Sequence, residues 1–271
     1  MREAMAKEWS TWETFRAAKP LTQAEFGQLR EQPRAQIVDT RWVLTRKSTT
    51  KGQVMKARLV AIGCQELIEG MRTDSPTASH QAICLTLGFA SQSGWGLCSL
   101  DATSAYLQAP SGDDRVLLLR FPAVNPPPGC VACQVVHAHS AIYSTRDAGR
   151  SFYKHFAKVA AEHNVKELKL ERAMFVFRNP AGEPILVASV HVDDALMTCK
   201  KTSADGKLAE DIIAKLRKVL HMKREDNCFT FCGKKVVDNE KGIIVSQRDA
   251  AEASEPLSFV GAPDRLIADD E

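Results

Sequence analysis

The stretch Pro184-Ile185-Leu186-Val187-Ala188-Ser189-Val190-His191-Val192-Asp193-Asp194-Ala195-Leu196-Met197 decides the fold. It is almost wholly apolar except at two adjacent carboxylates, and apolar chain resumes directly behind them. A buried strand does not tolerate two unpaired charges, so the pair belongs in a tight turn between two strands. Successive residues of extended chain point to opposite faces, and a turn lets at least one carboxylate project into a shared site. Upstream, the short apolar segment of residues 96–100 runs straight into Asp101. If that strand lies beside the hairpin, three carboxylates converge. Converged carboxylates repel unless a cation neutralises them, and their hard oxygens suit Mg²⁺.

Working outward, residues 173–178 and 184–191 read as strands around the turn Asn179-Pro180-Ala181-Gly182. A helix is expected over residues 147–163, and before it a strand over 131–136 follows the proline-rich loop 122–129. Residues 1–18 read as an amphipathic helix, with Met5, Trp9, Trp12 and Phe15 recurring at three- and four-residue steps. A short helical or irregular piece lies between Pro20 and Pro33. Strands at 37–45 and 54–62 flank Ser48-Thr49-Thr50-Lys51-Gly52 and make a basic hairpin carrying Arg41, Arg46, Lys47, Lys51, Lys56 and Arg58. Helices are expected over 79–92, 102–109 and 205–220, and a strand over 116–121. Strands at 228–236 and 243–246 close a last hairpin, and the final twenty or so residues read as weakly ordered. Helices mixed with hairpins, without regular βαβ alternation, indicate an α+β protein.

The 271 residues suffice for one large domain or two small ones with a proper core. No apolar run approaches the length of a membrane span, and the charged start lacks a signal-peptide core. The eight cysteines are scattered and accompany no export signal, which suits reduced thiols. A net charge of +3 argues for little, but the basic hairpin and a second basic run, residues 200–224, suit a polyanionic partner. Cys130 and Cys133, with His137 and His139, have the flavour of a zinc site, but the C-x-x-C pair alone is a weak signal. There is no Walker loop and no G-x-S-x-G, so hydrolase chemistry has no support.

Several segments, in order, resemble the reverse transcriptases of Ty1/copia-type retrotransposons. Trp42-Val43-Leu44 and Lys56-Ala57-Arg58-Leu59-Val60-Ala61-Ile62-Gly63 resemble that family's fingers segment. Asp74-Ser75-Pro76-Thr77 is similar to its Phe-Ser-Pro-Val region, and Ser99-Leu100-Asp101-Ala102-Thr103-Ser104-Ala105-Tyr106-Leu107 to its first acidic motif. Ala141-Ile142-Tyr143-Ser144-Thr145-Arg146-Asp147-Ala148 stands where the family has Leu-Tyr-Gly-Leu-Lys-Gln-Ala, and His191-Val192-Asp193-Asp194 where it has Tyr-Val-Asp-Asp. Phe231-Cys232-Gly233 and Ile244-Val245-Ser246-Gln247 resemble segments beyond the palm. The likeness runs from about Ala4 to Arg248.

The resemblance implies a right-hand polymerase core in an α+β chain: a helical lead-in (1–33), fingers and palm (34–200), and a thumb- or connection-like segment with a weakly ordered tail (201–271). It implies RNA-directed DNA synthesis, with Asp101, Asp193 and Asp194 as catalytic residues holding two Mg²⁺ ions, for which Mn²⁺ can substitute. Lys56, Arg58, Tyr106 and Asp147 would bind the nucleotide, Tyr106 lying beneath the sugar. The implied partners are an RNA template, a DNA primer and dNTP, with no membrane; the oligomeric state is left open. The implied location is the cytoplasm, in virus-like particles. No RNase H, protease or integrase segment is recognisable, so the chain resembles a piece of a Pol polyprotein. Asp147 in place of Gln, Ser144 in place of Gly and His191 in place of Tyr depart from the family. They leave an alternative open, an inactive relic that keeps nucleic-acid binding.

Overall fold

The computed structural model describes residues 1–49, 52–67, 69–112, 115–252 and 254. The expected weak order of the last residues, and the middle of the turn expected at 48–52, lie outside them. Helix α1 (Arg2–Thr14) buries Met5 and Trp12, and Trp9 meets Phe121 edge-to-face at 5.4 Å. Strand β1 (Ala18–Pro20) leads to α2 (Gln23–Arg30), which opens on a reciprocal Thr22–Glu25 capping box. Strands β2 (Ala35–Thr49) and β3 (Gly52–Ala61) form the long basic hairpin, with Thr40 opposite Ala61 and Thr49 opposite Gly52. Helix α3 (His80–Ser93) is capped by the Ser79 hydroxyl and stopped by Gly94 at φ 62°.

There follow β4 (Gly96–Ala102), α4 (Ala105–Gln108), β5 (Val116–Arg120), β6 (Val135–Ala138) and α5 (Ala148–Glu162). Next come β7 (Lys166–Glu167), β8 (Met174–Arg178), β9 (Pro184–His191), β10 (Asp194–Cys199) and α6 (Ala204–Val219). The described chain closes with β11 (Met222–Asp226), β12 (Cys228–Phe231), β13 (Lys234–Asn239), β14 (Gly242–Ser246) and α7 (Arg248–Glu252).

These strands make three sheets, ordered β1-β6-β5-β2-β3, β11-β4-β10-β9-β8-β7 and β12-β13-β14. Among the described residues only β2 and β5 pair in parallel. Helices packed on largely antiparallel sheets are the α+β architecture the sequence suggests. The six-stranded sheet is covered on both sides, so the interior of β9 is buried throughout instead of alternating. Its Leu100, Val190 and Met197 pack with Phe152 and Phe156 of α5 and with Ile213 and Leu216 of α6. Leu97, Val187 and Leu196 pack with Ala82 and Ile83 of α3 and with Phe229 and Phe231 of β12. Each such large side chain stabilises the fold by ~1.5–3 kcal/mol, an upper figure because unfolded chains already bury some apolar surface.

Four local readings need correction. The strand expected over 228–236 is two, β12 and β13, with Cys232 at φ 48° and Gly233 at φ 72° in the turn between them. The helix expected over 102–109 shrinks to α4, because the Ala102 N–H donates to the Asp193 carbonyl (2.9 Å) and Ala102 stays in the strand. The strand expected over 131–136 begins only at Val135. Cys133 sits at φ 60° in a turn closed by the Gln134 N–H on the Val131 carbonyl. Residues 222–226, read only as the end of a basic run, are an edge strand of the six-stranded sheet.

Candidate active site

The register of the six-stranded sheet sets the carboxylates. Strand β10 pairs with β4 so that Asp194 lies opposite Asp101 and Ala195 opposite Leu100, and directly opposed residues share a face. The turn from β9 to β10 contains only Val192 and Asp193. Val192 adopts φ 57°, a conformation that a β-branched residue occupies only under constraint, at a cost of ~1–3 kcal/mol. The constraint is visible. The β9–β10 ladder closes on one side of the turn, and the Ala102 N–H holds the Asp193 carbonyl on the other. Asp193 is thereby pinned at the end of β4.

Burial foremost, then the neighbouring charges of Asp193, Asp101 and Glu225, push the Asp194 carboxyl up to about 6. A divalent cation relieves that kind of crowding, and the oxygen donors suit Mg²⁺ or Mn²⁺. Among the described residues no group of three or more His, Cys, Asp and Glu side chains is gathered as a metal cage. This is compatible with Mg²⁺, which is held by one or two carboxylates completed by water and substrate phosphates. Asp101, Asp193 and Asp194 are the carboxylates that the strand register and the β9–β10 turn bring near one another.

Asp101 and Asp193 open onto a cavity of ≈ 480 Å³ whose lining includes Lys56, Arg58, Tyr106 and Lys223. That is the size of a small-molecule site. The Arg58 guanidinium lies 4.4 Å from the centroid of the Tyr143 ring, and that ring is 5.4 Å from Tyr106. Burial, then the charge of Asp193, raises the Tyr106 phenol above its ordinary value, so it is uncharged at neutral pH. Behind the cavity, Gly63 is obligatory. A Cβ there would stand 2.0 Å from the Ser144 carbonyl oxygen. That close approach, with the Ala61 N–H on the Tyr143 carbonyl (2.9 Å), presses the base of the basic hairpin onto the segment carrying Tyr143.

Asp147 is elsewhere. It is buried at the N-terminus of α5, where Arg115 reaches both Asp147 Oδ1 (2.5 Å) and Glu66 Oε2 (2.6 Å). It borders a second, smaller pocket together with Arg72 and Arg150. Arg146 and Arg150, its nearest cations in sequence, contact the Gly63 carbonyl and Asp74 instead. The zinc reading also fails: Cys133 is exposed in its turn, apart from any gathered ligand set among the described residues.

Sequence reasoning missed Lys223 because it read residues 200–224 only as a basic run. Lys223 lies on β11 directly opposite Asp101. It also missed Ala4, Lys7, Glu8 and Thr11 of α1, which line the cavity. Their spacing was legible, but the apolar stripe beside them took all the weight.

The family model for reverse transcriptase (RNA-dependent DNA polymerase) matches residues 28–254, an interval holding every cavity residue named above except those of α1. No curated protein matches the chain. Among the described residues no helix is long and apolar enough to cross a membrane. With the match spanning most of its length and the acidic cluster inside it, the chain belongs to the reverse transcriptase family found in Ty1/copia-type elements.

Proposed function

We propose that the chain is the polymerase part of a Ty1/copia-type Pol polyprotein. It would join dNTPs to a primer 3′-hydroxyl on an RNA template, using Asp101, Asp193 and Asp194 to hold two Mg²⁺ ions. The observation that carries the reading is the register of Asp194 opposite Asp101, with Asp101 and Asp193 lining a cavity that also holds Lys56, Arg58 and Tyr106. In right-hand terms the five-stranded sheet with its basic hairpin serves as fingers and the six-stranded sheet as palm. The three-stranded sheet and helix α7 are the thumb- or connection-like part.

Lys56 and Arg58 bind triphosphate oxygens, and the Tyr106 ring lies under the deoxyribose, where a 2′-hydroxyl would collide with it. Asp101, Asp193 and Asp194 would hold the ions, which would supply activation of the primer 3′-oxygen and charge neutralisation for the leaving pyrophosphate. The protein's own part is positioning and fixed charge, without a covalent intermediate.

One observation favours a second reading, a relic that keeps nucleic-acid binding. Asp147, standing where the family has the Gln that approaches nucleotide and template, is tied to Arg115 instead. Primer extension on oligo-dT/poly-rA with Mg²⁺, and separately Mn²⁺, tests both readings. Extension is expected, and Asp193→Asn should reduce it by at least roughly 100-fold, as loss of a group that stabilises transition-state charge does. Duplex binding should persist, because phosphate contacts come from the basic surface. A folded wild-type protein that binds the duplex but extends nothing would select the relic. Normal extension by Asp193→Asn would sink the site assignment.

A further inference from the structure

Helix α1 ends before the family-matched interval begins. Nevertheless its Ala4, Lys7, Glu8 and Thr11 line the same cavity as Asp101, Asp193, Lys56 and Arg58. The spacing i, i+3, i+4, i+7 is one face of an α-helix. The adjoining stripe, Met5, Trp9 and Trp12, turns the other way; Trp12 is fully buried in the core with Leu59, and Trp9 packs against it. One stripe docks the helix and the other faces the cavity.

The docking is fixed at the cavity's edge. Glu8, buried, accepts from the Trp12 indole Nε1 (3.3 Å) and from the backbone N–H of Leu59, the residue next to Arg58 on β3. This seam sets α1 against the strand that carries Lys56 and Arg58. Lys7, beside Glu8 in sequence, is exposed toward the open space. The cavity thus has carboxylates of β4 and the β9–β10 turn at one place, and lysine and arginine side chains of β3, β11 and α1 around it. Divalent cations at the carboxylates would leave those basic groups for the remaining charge of a phosphate chain. A flexible ammonium is well suited to meet phosphate oxygens as a point charge.

We infer that α1 is a wall of the nucleotide site and that Lys7 binds the triphosphate of the incoming nucleotide together with Lys56 and Arg58. This rests on the cavity being the nucleotide site, and the test separates the two ideas. The whole chain, as wild type, Lys7→Met and Lys7→Arg, is titrated with dTTP and with dTMP in Mg²⁺, affinity being read from ligand-induced thermal shift. The same proteins are assayed for KM and kcat in primer extension.

Lys7→Met should weaken dTTP affinity and raise its KM about three- to fivefold, the size of one solvent-accessible charge contact. Affinity for dTMP, the duplex Kd and kcat should move little, and Lys7→Arg should recover most of the loss. A merely structural role would shift dTMP and dTTP together and would show in the melting temperature without ligand. Unchanged dTTP affinity in Lys7→Met, in a wild type that extends primers, overturns the inference and leaves the polymerase reading intact. If the wild type binds dTTP without extending primers, the polymerase reading falls and the Lys7 comparison still decides. A wild type that binds no dTTP overturns both.

Discussion

Tyr106 shows what one side chain contributes. Its ring is half-buried beside Tyr143, its phenol stays protonated, and it faces the cavity that Asp101 and Asp193 also face. Under the proposed function this ring would exclude a 2′-hydroxyl by its volume. Replacing it with a smaller apolar residue, Tyr106→Val, should therefore lower the preference for dTTP over UTP by roughly tenfold or more, the range in which a pocket discriminates by volume. The dTTP rate itself should fall far less. Competition of the two nucleotides in primer extension measures the ratio, and an unchanged ratio would show that the ring does not gate the sugar. Asp101 and the Asp193-Asp194 pair were legible as carboxylates closing apolar runs, whereas Tyr106 was singled out only by the family resemblance. The place of Asp147 was not legible, because its partner Arg115 is distant in sequence and nothing local to either residue names the other. Lys223 was missed for the same reason, its meaning residing in a cross-strand register with Asp101.

Elements follow a similar rule. The strands of the β9–β10 hairpin and helices α3, α5 and α6 were readable within a residue or two, because apolar runs, capping residues and turn residues agree there. Strand β11 was not readable: Met222-Lys223-Arg224-Glu225-Asp226 is charged, and an edge strand beside β4 needs little apolar surface. Helix α1 was readable as a helix, whereas the contacts of its second face were not. Its seam with β3 contains Glu8, whose carboxyl burial raises above 4.5; hydrogen bonds from Trp12 and Leu59 and the charges of Arg58 and Lys56 offset this only in part. A raised carboxyl pKa means that the folded state holds the proton more tightly than the unfolded chain. The resulting stability is present below 4.5 and is lost as pH rises from there through the raised folded value. Gln keeps an acceptor for the Trp12 and Leu59 donors without the charge. Glu8→Gln should therefore remove this loss and leave the protein more stable than wild type at pH 7–8, the two converging near pH 4. Urea denaturation across that range checks it, and parallel pH profiles for the two proteins would show that the carboxyl is not penalised by the seam.

The molecule as a whole is held by contacts that cross between its sheets. Glu66 lies just past the basic hairpin, Arg115 just before β5, and Asp147 opens α5, which packs under the six-stranded sheet. Arg115 bridges the two carboxylates, its side chain 3% exposed, so the pair of ion contacts ties the five-stranded sheet to the helix beneath the acidic cluster. The stoichiometry is uneven: one guanidinium serves two acids, and both Glu66 Oε1 and Arg115 Nε are buried without a hydrogen-bond partner among the described residues. Removing the cation and removing one acid should therefore have very different effects. Arg115→Met leaves two buried carboxylates facing each other and should destabilise the fold by about 3–5 kcal/mol. Asp147→Asn keeps the Arg115–Glu66 pair and a polar group of the same shape, so its cost should be nearer ~1 kcal/mol. Equilibrium urea unfolding of the two variants at neutral pH gives the comparison directly. Equal and small losses would mean that the cores alone hold the sheets together. A large loss confined to Arg115→Met would mean that the guanidinium, with Glu66, holds the junction between the sheets and that the charge at residue 147 adds little to it.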